Sequence, residues 1–276
     1  MEDCMRKTLF FVMIFAVLVT ALFGQSANDF DFERNSSGTV TITGYKGSTK
    51  QITIPATLGG NRVTEIGDWA FVNKELTRVT IPNSVTIIGE GAFLGNELTS
   101  LTIPNSVTKI GEMAFNENQL TSVTIPNSVI TIGREAFAQN QLTSITLPNS
   151  ITTIEYEVFA DNQLTSITIP NSVTTIEEGA FARNRLTSVT IPNRVTTIGE
   201  SAFVKNELTR VTISNSVTTI GDWAFSGNDD LASVTLGANV RFELSAFSND
   251  LYTFYVSQGR RAGTYTHVGN YAWTVR

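Results

Sequence analysis

The residues that usually carry chemistry are scarce in this chain and poorly spaced for it. His267 is the only histidine and Cys4 the only cysteine. Nucleophilic catalysis needs a general base within hydrogen-bond reach of a serine or cysteine, and His267 falls in a short terminal segment that reads as a hairpin rather than a cleft. Cys4 precedes the apolar stretch Leu9 to Phe23, so a chain cut after that stretch holds no thiol and forms no disulfide. Asn228, Asp229, Asp230, Asn249 and Asp250 offer oxygens, yet none follows the spacing of a calcium loop, and turn or capping chemistry accounts for them. No enzyme activity, cofactor or metal is expected. A net charge of -6 without a Lys/Arg cluster also argues against nucleic acid, which is bound by neutralising phosphates.

One class of side chain does recur so that many copies can act together. In segments of the form Leu-x-x-Val-x-Ile the fourth and sixth positions are apolar, which turns the third and fifth to the opposite side of a strand. The third position is Arg78, Ser100, Ser122, Ser144, Ser166, Ser188 and Arg210, and the fifth is Thr102, Thr124, Thr146, Thr168, Thr190 and Thr212. These rows are expected to form an extended recognition surface for a protein ligand. Arg210, Tyr252 and Tyr255, near its C-terminal end, are the expected anchors, since Arg and Tyr are enriched among residues that dominate binding energy. Weak contacts repeated along the array would gain strength by avidity. Two other readings stay open: threonine as a strand former with a purely structural role, and aligned hydroxyls matched to a regular lattice such as ice or a mineral.

What positions these rows is a 22-residue repeat. Phenylalanine recurs at Phe71, Phe93, Phe115, Phe137, Phe159, Phe181, Phe203, Phe225 and Phe247, and leucine at Leu76, Leu98, Leu120, Leu142, Leu164, Leu186 and Leu208. All seven prolines follow the strand segment, where a residue without an N–H ends the ladder. Within one unit Leu101 and Ile103 are two apart, as in a strand with one buried face, whereas Val107 and Ile110 are three apart and Gly111–Phe115 reads as a single helical turn. Glycine at Gly89, Gly111, Gly133 and Gly199 gives way to Glu155 and Glu177, so a strict left-handed backbone is not expected in that slot. Trp69 and Trp223 share the slot two before Phe, where rim packing is expected. Glu90, Glu112, Glu135, Glu157, Glu178 and Glu200 read as a solvated stripe. One such unit cannot bury its apolar face alone; stacked units can. The sequence thus predicts an α/β solenoid with a parallel sheet on one face and short helical turns on the other.

The pattern LxxVxIPxxVxxIGxxAF resembles the BspA-like, Treponema-type class of leucine-rich repeats over residues 49–256. The resemblance implies surface proteins that engage host, matrix or neighbouring-cell proteins. Members often carry cysteine where this chain has Asn96, Asn118, Asn140, Asn162, Asn184 and Asn206, a departure that predicts a stacked asparagine ladder. Ile52 and Ile54 at one end, and Leu251, Phe254 and Val256 at the other, extend the strand motif to ten coils. Residues 27–48 and 257–276 read as hairpin caps over the open sheet edges, with Gly269-Asn270 as a two-residue turn. Residues 1–26 read as a secretory signal, Met5-Arg6-Lys7 ahead of an apolar run too short to span a bilayer, which predicts an exported chain without a transmembrane anchor.

Overall fold

The computed structural model describes residues 26–247, 250–267 and 273–276. The expected signal and the Gly269-Asn270 turn lie outside them. Coils of 22 residues stack with equivalent positions in register. Ser122 pairs with Ser144 and Thr124 with Thr146, in parallel. Further along, Ser188 pairs with Arg210 and Arg210 with Ser233. The inward Val and Ile of these strands are buried, as the alternation requires, apart from the partly buried Ile145. Residues 100–102 and 166–168 keep the alternation without strand pairing, so the sheet is divided into segments.

A second parallel ladder runs beside the first. Beyond the longer strands at its N-terminal end, its strands are only two residues long, such as Lys109–Ile110, Thr131–Ile132 and Thr175–Ile176, each burying one isoleucine. The expected helical turn after it is not a helix. The Ala70 N–H donates to Gly67 O at 3.3 Å and the Val72 N–H to Trp69 O at 3.2 Å, two overlapping β-turns. Positive φ recurs two residues before the ladder phenylalanine, at Trp69, Gly91, Met113, Glu135, Glu157, Gly179, Ser201 and Trp223. A helix cannot absorb left-handed residues at that spacing. The amides between serve the following coil instead: Phe71 N–H donates to Ala92 O and Phe93 N–H to Ala114 O, both at 2.8 Å.

The glycine slot ahead of these turns has no positive φ, in line with the sequence. Close approach explains it: a Cβ on Gly111 or Gly133 would collide with backbone of the preceding coil, at Gly89–Glu90 and Gly111–Glu112 respectively. Where Glu155 takes the slot, the second sheet breaks between Thr131–Ile132 and Thr153–Ile154. The phenylalanine stack is widest there, 6.0 Å between Phe137 and Phe159 against 5.4 Å for the pair before it. Glu177 holds the same slot in the next coil, where Ile154 pairs with Ile176 and Ile176 with Ile198, so the interruption is confined to the junction at Glu155.

Two ladders fill the interior. The phenylalanines stack nearly parallel from Phe71 to Phe247 and are essentially inaccessible. Beside them runs the predicted asparagine ladder, which also includes Asn228. Asn162 is typical: its carbonyl accepts the Leu142 N–H at 3.0 Å, while its amide donates to Phe137 O at 2.9 Å and Phe159 O at 3.3 Å. One side chain satisfies backbone groups of two coils that no strand or helix pairs.

The caps divide the edges. Phe30–Arg34 and Val40–Tyr45 form an antiparallel hairpin whose second strand pairs with Asn61–Ile66 of the second sheet. At the other end Gly263–His267 pairs antiparallel with Ser233–Leu236 of the first sheet and with Trp273–Val275. The lengthened loop at residues 58–62 is a short hairpin of Thr57–Leu58 with Asn61–Ile66. The expected tenth strand is instead the helix Leu251–Ser257. Leu251, Phe254 and Tyr255 stand at i, i+3 and i+4, a helical stripe, and Val256, expected inside, is 40% exposed.

Asn162→Ala should cost about 1–3 kcal/mol, because it leaves the buried Leu142 N–H without a partner, while Phe137 O and Phe159 O keep the amides of Asn140 and Asn184. Phe159→Ala should cost about 3–5 kcal/mol through the cavity it opens. Chemical denaturation checks both; a loss below about 1 kcal/mol for Asn162→Ala would show that neighbouring groups replace its bonds.

Candidate binding surface

The first sheet presents the predicted hydroxyl rows to solvent. Arg78, Ser100, Thr102, Ser122, Thr124, Ser144, Thr146, Ser166, Thr168, Ser188, Thr190 and Arg210 are exposed and Thr212 is half-buried. The rows continue onto the C-terminal hairpin, where Thr235 and Thr264 hydroxyls meet at 3.0 Å. Threonines one residue earlier are used differently, since Thr143 and Thr209 donate their hydroxyls to Thr121 O and Thr187 O of the preceding coils. The outward rows are thus distinct from the threonines that tie coils together.

The two tyrosine anchors are misplaced by the sequence. Tyr255 is 1% exposed, donates its hydroxyl to Gly237 O at 2.8 Å and accepts the Val240 N–H at 3.0 Å. Burial raises its pKa above the ordinary phenol value. Tyr252 is half-buried with its ring 5.5 Å from that of Phe242. Both pack with the core from the C-terminal helix, because that segment turns at helical rather than strand period. Arg210 keeps its place on the exposed sheet, next to Ser188 and Ser233.

The sequence also missed a second outward row. Thr153, Thr175, Thr197 and Thr219 lie in register on the second sheet. Two-residue strands leave no period-2 pattern; the recurring Thr-Ile-Gly or Thr-Ile-Glu triplets were the available signal. Ile130 breaks the neighbouring threonine column and stands 64% exposed.

The turn side carries the acidic stripe, and its middle is not fully solvated. Glu135 and Glu155 are both half-buried, and burial raises both carboxyls above their ordinary range. Glu157 and Glu112 add like-charge repulsion at Glu135, and Glu177 adds it at Glu155, while Arg134 opposes both shifts. Asp161 and Glu157 pair with Arg183, whose nearer carboxylate oxygen lies 2.7 Å away. Trp69 and Trp223, expected to pack at the rim, are 42% and 50% exposed. Their coils share the sequence Gly-Asp-Trp-Ala-Phe, at residues 67–71 and 221–225. The Trp69 ring covers Gly91 of the next coil so closely that an added Cβ there would collide with it. His267 lies on the strand Gly263–His267 of the C-terminal cap, its ring 5.1 Å from that of Trp273. Among the described residues no group of three His, Cys, Asp or Glu is placed to hold a metal, and no helix is long and apolar enough to cross a membrane.

Register-matched coils, parallel ladders and interior columns that recur once per coil define a leucine-rich-repeat solenoid. The chain belongs to the family described as BspA type leucine rich repeat region, which matches residues 44–165 and 152–272. No curated protein matches it. Among solved structures it is similar to a leucine-rich cell surface protein from Faecalibacterium prausnitzii, with 28% identity, 77% of this chain and 76% of that one covered, and a TM-score of 0.49. A leucine-rich repeat protein from Bacteroides ovatus shares 23% identity over 75% of this chain and 69% of that one, with a TM-score of 0.51. The pneumococcal vaccine antigen PcpA shares 20% identity over 83% of this chain and 74% of that one, with a TM-score of 0.57. The latter two carry the fold.

Because Glu155 is disfavoured as a carboxylate in the folded state, its penalty is absent below the unfolded value of about 4.3 and develops as pH rises through the raised folded value. Glu155→Gln should therefore stabilise the protein at pH 7, by about 0.5 kcal/mol once solvent screening is allowed for. Denaturation at neutral and acid pH checks this: the gain should vanish in acid, and destabilisation at pH 7 would contradict the assignment.

Proposed function

We propose that this protein is an exported, surface-acting adhesion module that binds an extracellular-matrix or cell-surface protein through the first sheet and does so without catalysis. The observation that carries the reading is the exposed, register-matched array of Ser and Thr with Arg78 and Arg210 set among them. Hydroxyls one coil apart offer donors and acceptors at a fixed spacing of about 4.8 Å, which suits a long polypeptide surface making many weak contacts. Export is supported by the charged and then apolar N-terminal sequence. Membership of the BspA-type family supports the same location. The interruptions at residues 100–102 and 166–168 support a protein ligand over a crystalline lattice, since ice or mineral matching needs an unbroken row.

The test is an array of purified matrix proteins probed with the exported chain, followed by surface plasmon resonance on the ligand it selects. Arg210→Ala should weaken binding by at least ~1 kcal/mol with little change in thermal midpoint. Ser144→Trp with Thr146→Trp should block the face, whereas Thr175→Trp on the second sheet should not. Binding that survives the first-sheet changes and fails in Thr175→Trp would move the interface to the second sheet.

A further inference from the structure

The solenoid ends in a groove of about 640 Å³ between the last regular turns and the C-terminal cap. Its size falls within the roughly 300–1,000 Å³ usual for small-molecule sites. Trp223 and Leu244 line it, 50% and 61% exposed. Such large apolar side chains normally seek cover, and here two share one concavity. The carboxylates of Asp229 and Asp250, both exposed residues, line the same groove. Ser245 contributes a hydroxyl fixed by donation to Asp222 at 2.7 Å. His267 completes the lining, and among the described residues its Nε2 is buried with no hydrogen-bond partner.

We propose that this groove binds a neutral saccharide. A pyranose ring has a face of C–H bonds and a rim of hydroxyls. An indole plane beside an aliphatic side chain matches the face, and carboxylates that only accept match hydroxyls that donate. No Lys or Arg lines the groove among the described residues, which disfavours phosphorylated, sulfated or acidic sugars. A cationic ligand would find Trp223 and the carboxylates but would leave the aliphatic surface of Leu244 unused. Trp69 has the same local sequence and a comparable exposure, yet its ring lies over Gly91 at the far end of the solenoid. It is therefore an internal control. None of the first-sheet row residues lines the groove, so its occupancy is separable from protein adhesion.

The exported chain would be titrated by calorimetry with neutral trisaccharides of glucose, galactose, mannose and N-acetylglucosamine. At least one should bind with a Kd of about 1 mM or tighter. Trp223→Gly should weaken it at least about tenfold. Glycine is the safe replacement, because Gly91 and Gly179 hold the same left-handed slot in other coils. Trp223→Tyr should retain most of the affinity, Asp250→Asn should weaken it several-fold, and Trp69→Gly should leave it unchanged. Circular-dichroism melting confirms that each variant is folded. The proposal is overturned if no trisaccharide binds, if Trp223→Gly and Trp69→Gly behave alike, or if a lysine-rich peptide binds through Trp223 while the sugars do not.

Discussion

The fold depends on satisfying backbone groups between coils rather than within them. A 22-residue coil has few hydrogen bonds of its own, and what it lacks is supplied one coil away. The two sheets account for part, and the turn-side amides, donating forward as Phe71 does to Ala92, account for more. The remaining gap lies where the chain leaves the turn and enters the first sheet, and the asparagine column closes it. Each asparagine reaches both its own coil and the one before it, so position along the solenoid is fixed by hydrogen bonds at the same level as the phenylalanine stack. An apolar column alone would tolerate slip between coils; a buried amide with directional partners does not.

That constraint explains why the outward rows are so regular. Once asparagine and phenylalanine lock the register, every side chain outside the core is copied at a fixed spacing, whatever its type. The Ser/Thr face is therefore a consequence of the interior, and Arg78 and Arg210 are the departures from its regularity. The second sheet is interrupted at Glu155 and continues through Glu177, which holds the same slot.

The interior was legible in the sequence because it repeats: the columns of Phe, Leu, Pro and Asn name their positions by period alone, and alternation assigned the outward Ser and Thr. The turn side was not, because Gly-Glu-Met-Ala-Phe is compatible with one helical turn, and only pairing with the next coil favours left-handed residues at Met113 and its counterparts. The C-terminal segment failed for a related reason. Leu251, Phe254 and Val256 satisfy the strand template, while Leu251, Phe254 and Tyr255 satisfy a helix equally well. The edge of Ser233–Leu236 that a tenth strand would pair with is taken by Gly263–His267, and the helix buries Tyr255.

The end of a repeat array is also where new chemistry can arise at little cost to the fold. Within the stack, each slot is constrained by the coil before and the coil after, and an indole there must lie on its neighbour as Trp69 lies on Gly91. At the last regular coil the neighbour is a short 3-10 turn, Leu244–Ala246, which leads the phenylalanine column one step further to Phe247 before a helix follows. The same Gly-Asp-Trp-Ala-Phe sequence therefore yields a covered surface at one end and an open groove at the other. What distinguishes Trp223 from Trp69 is absent from their own sequence and supplied by the cap, so a search of the repeat unit alone does not reveal it.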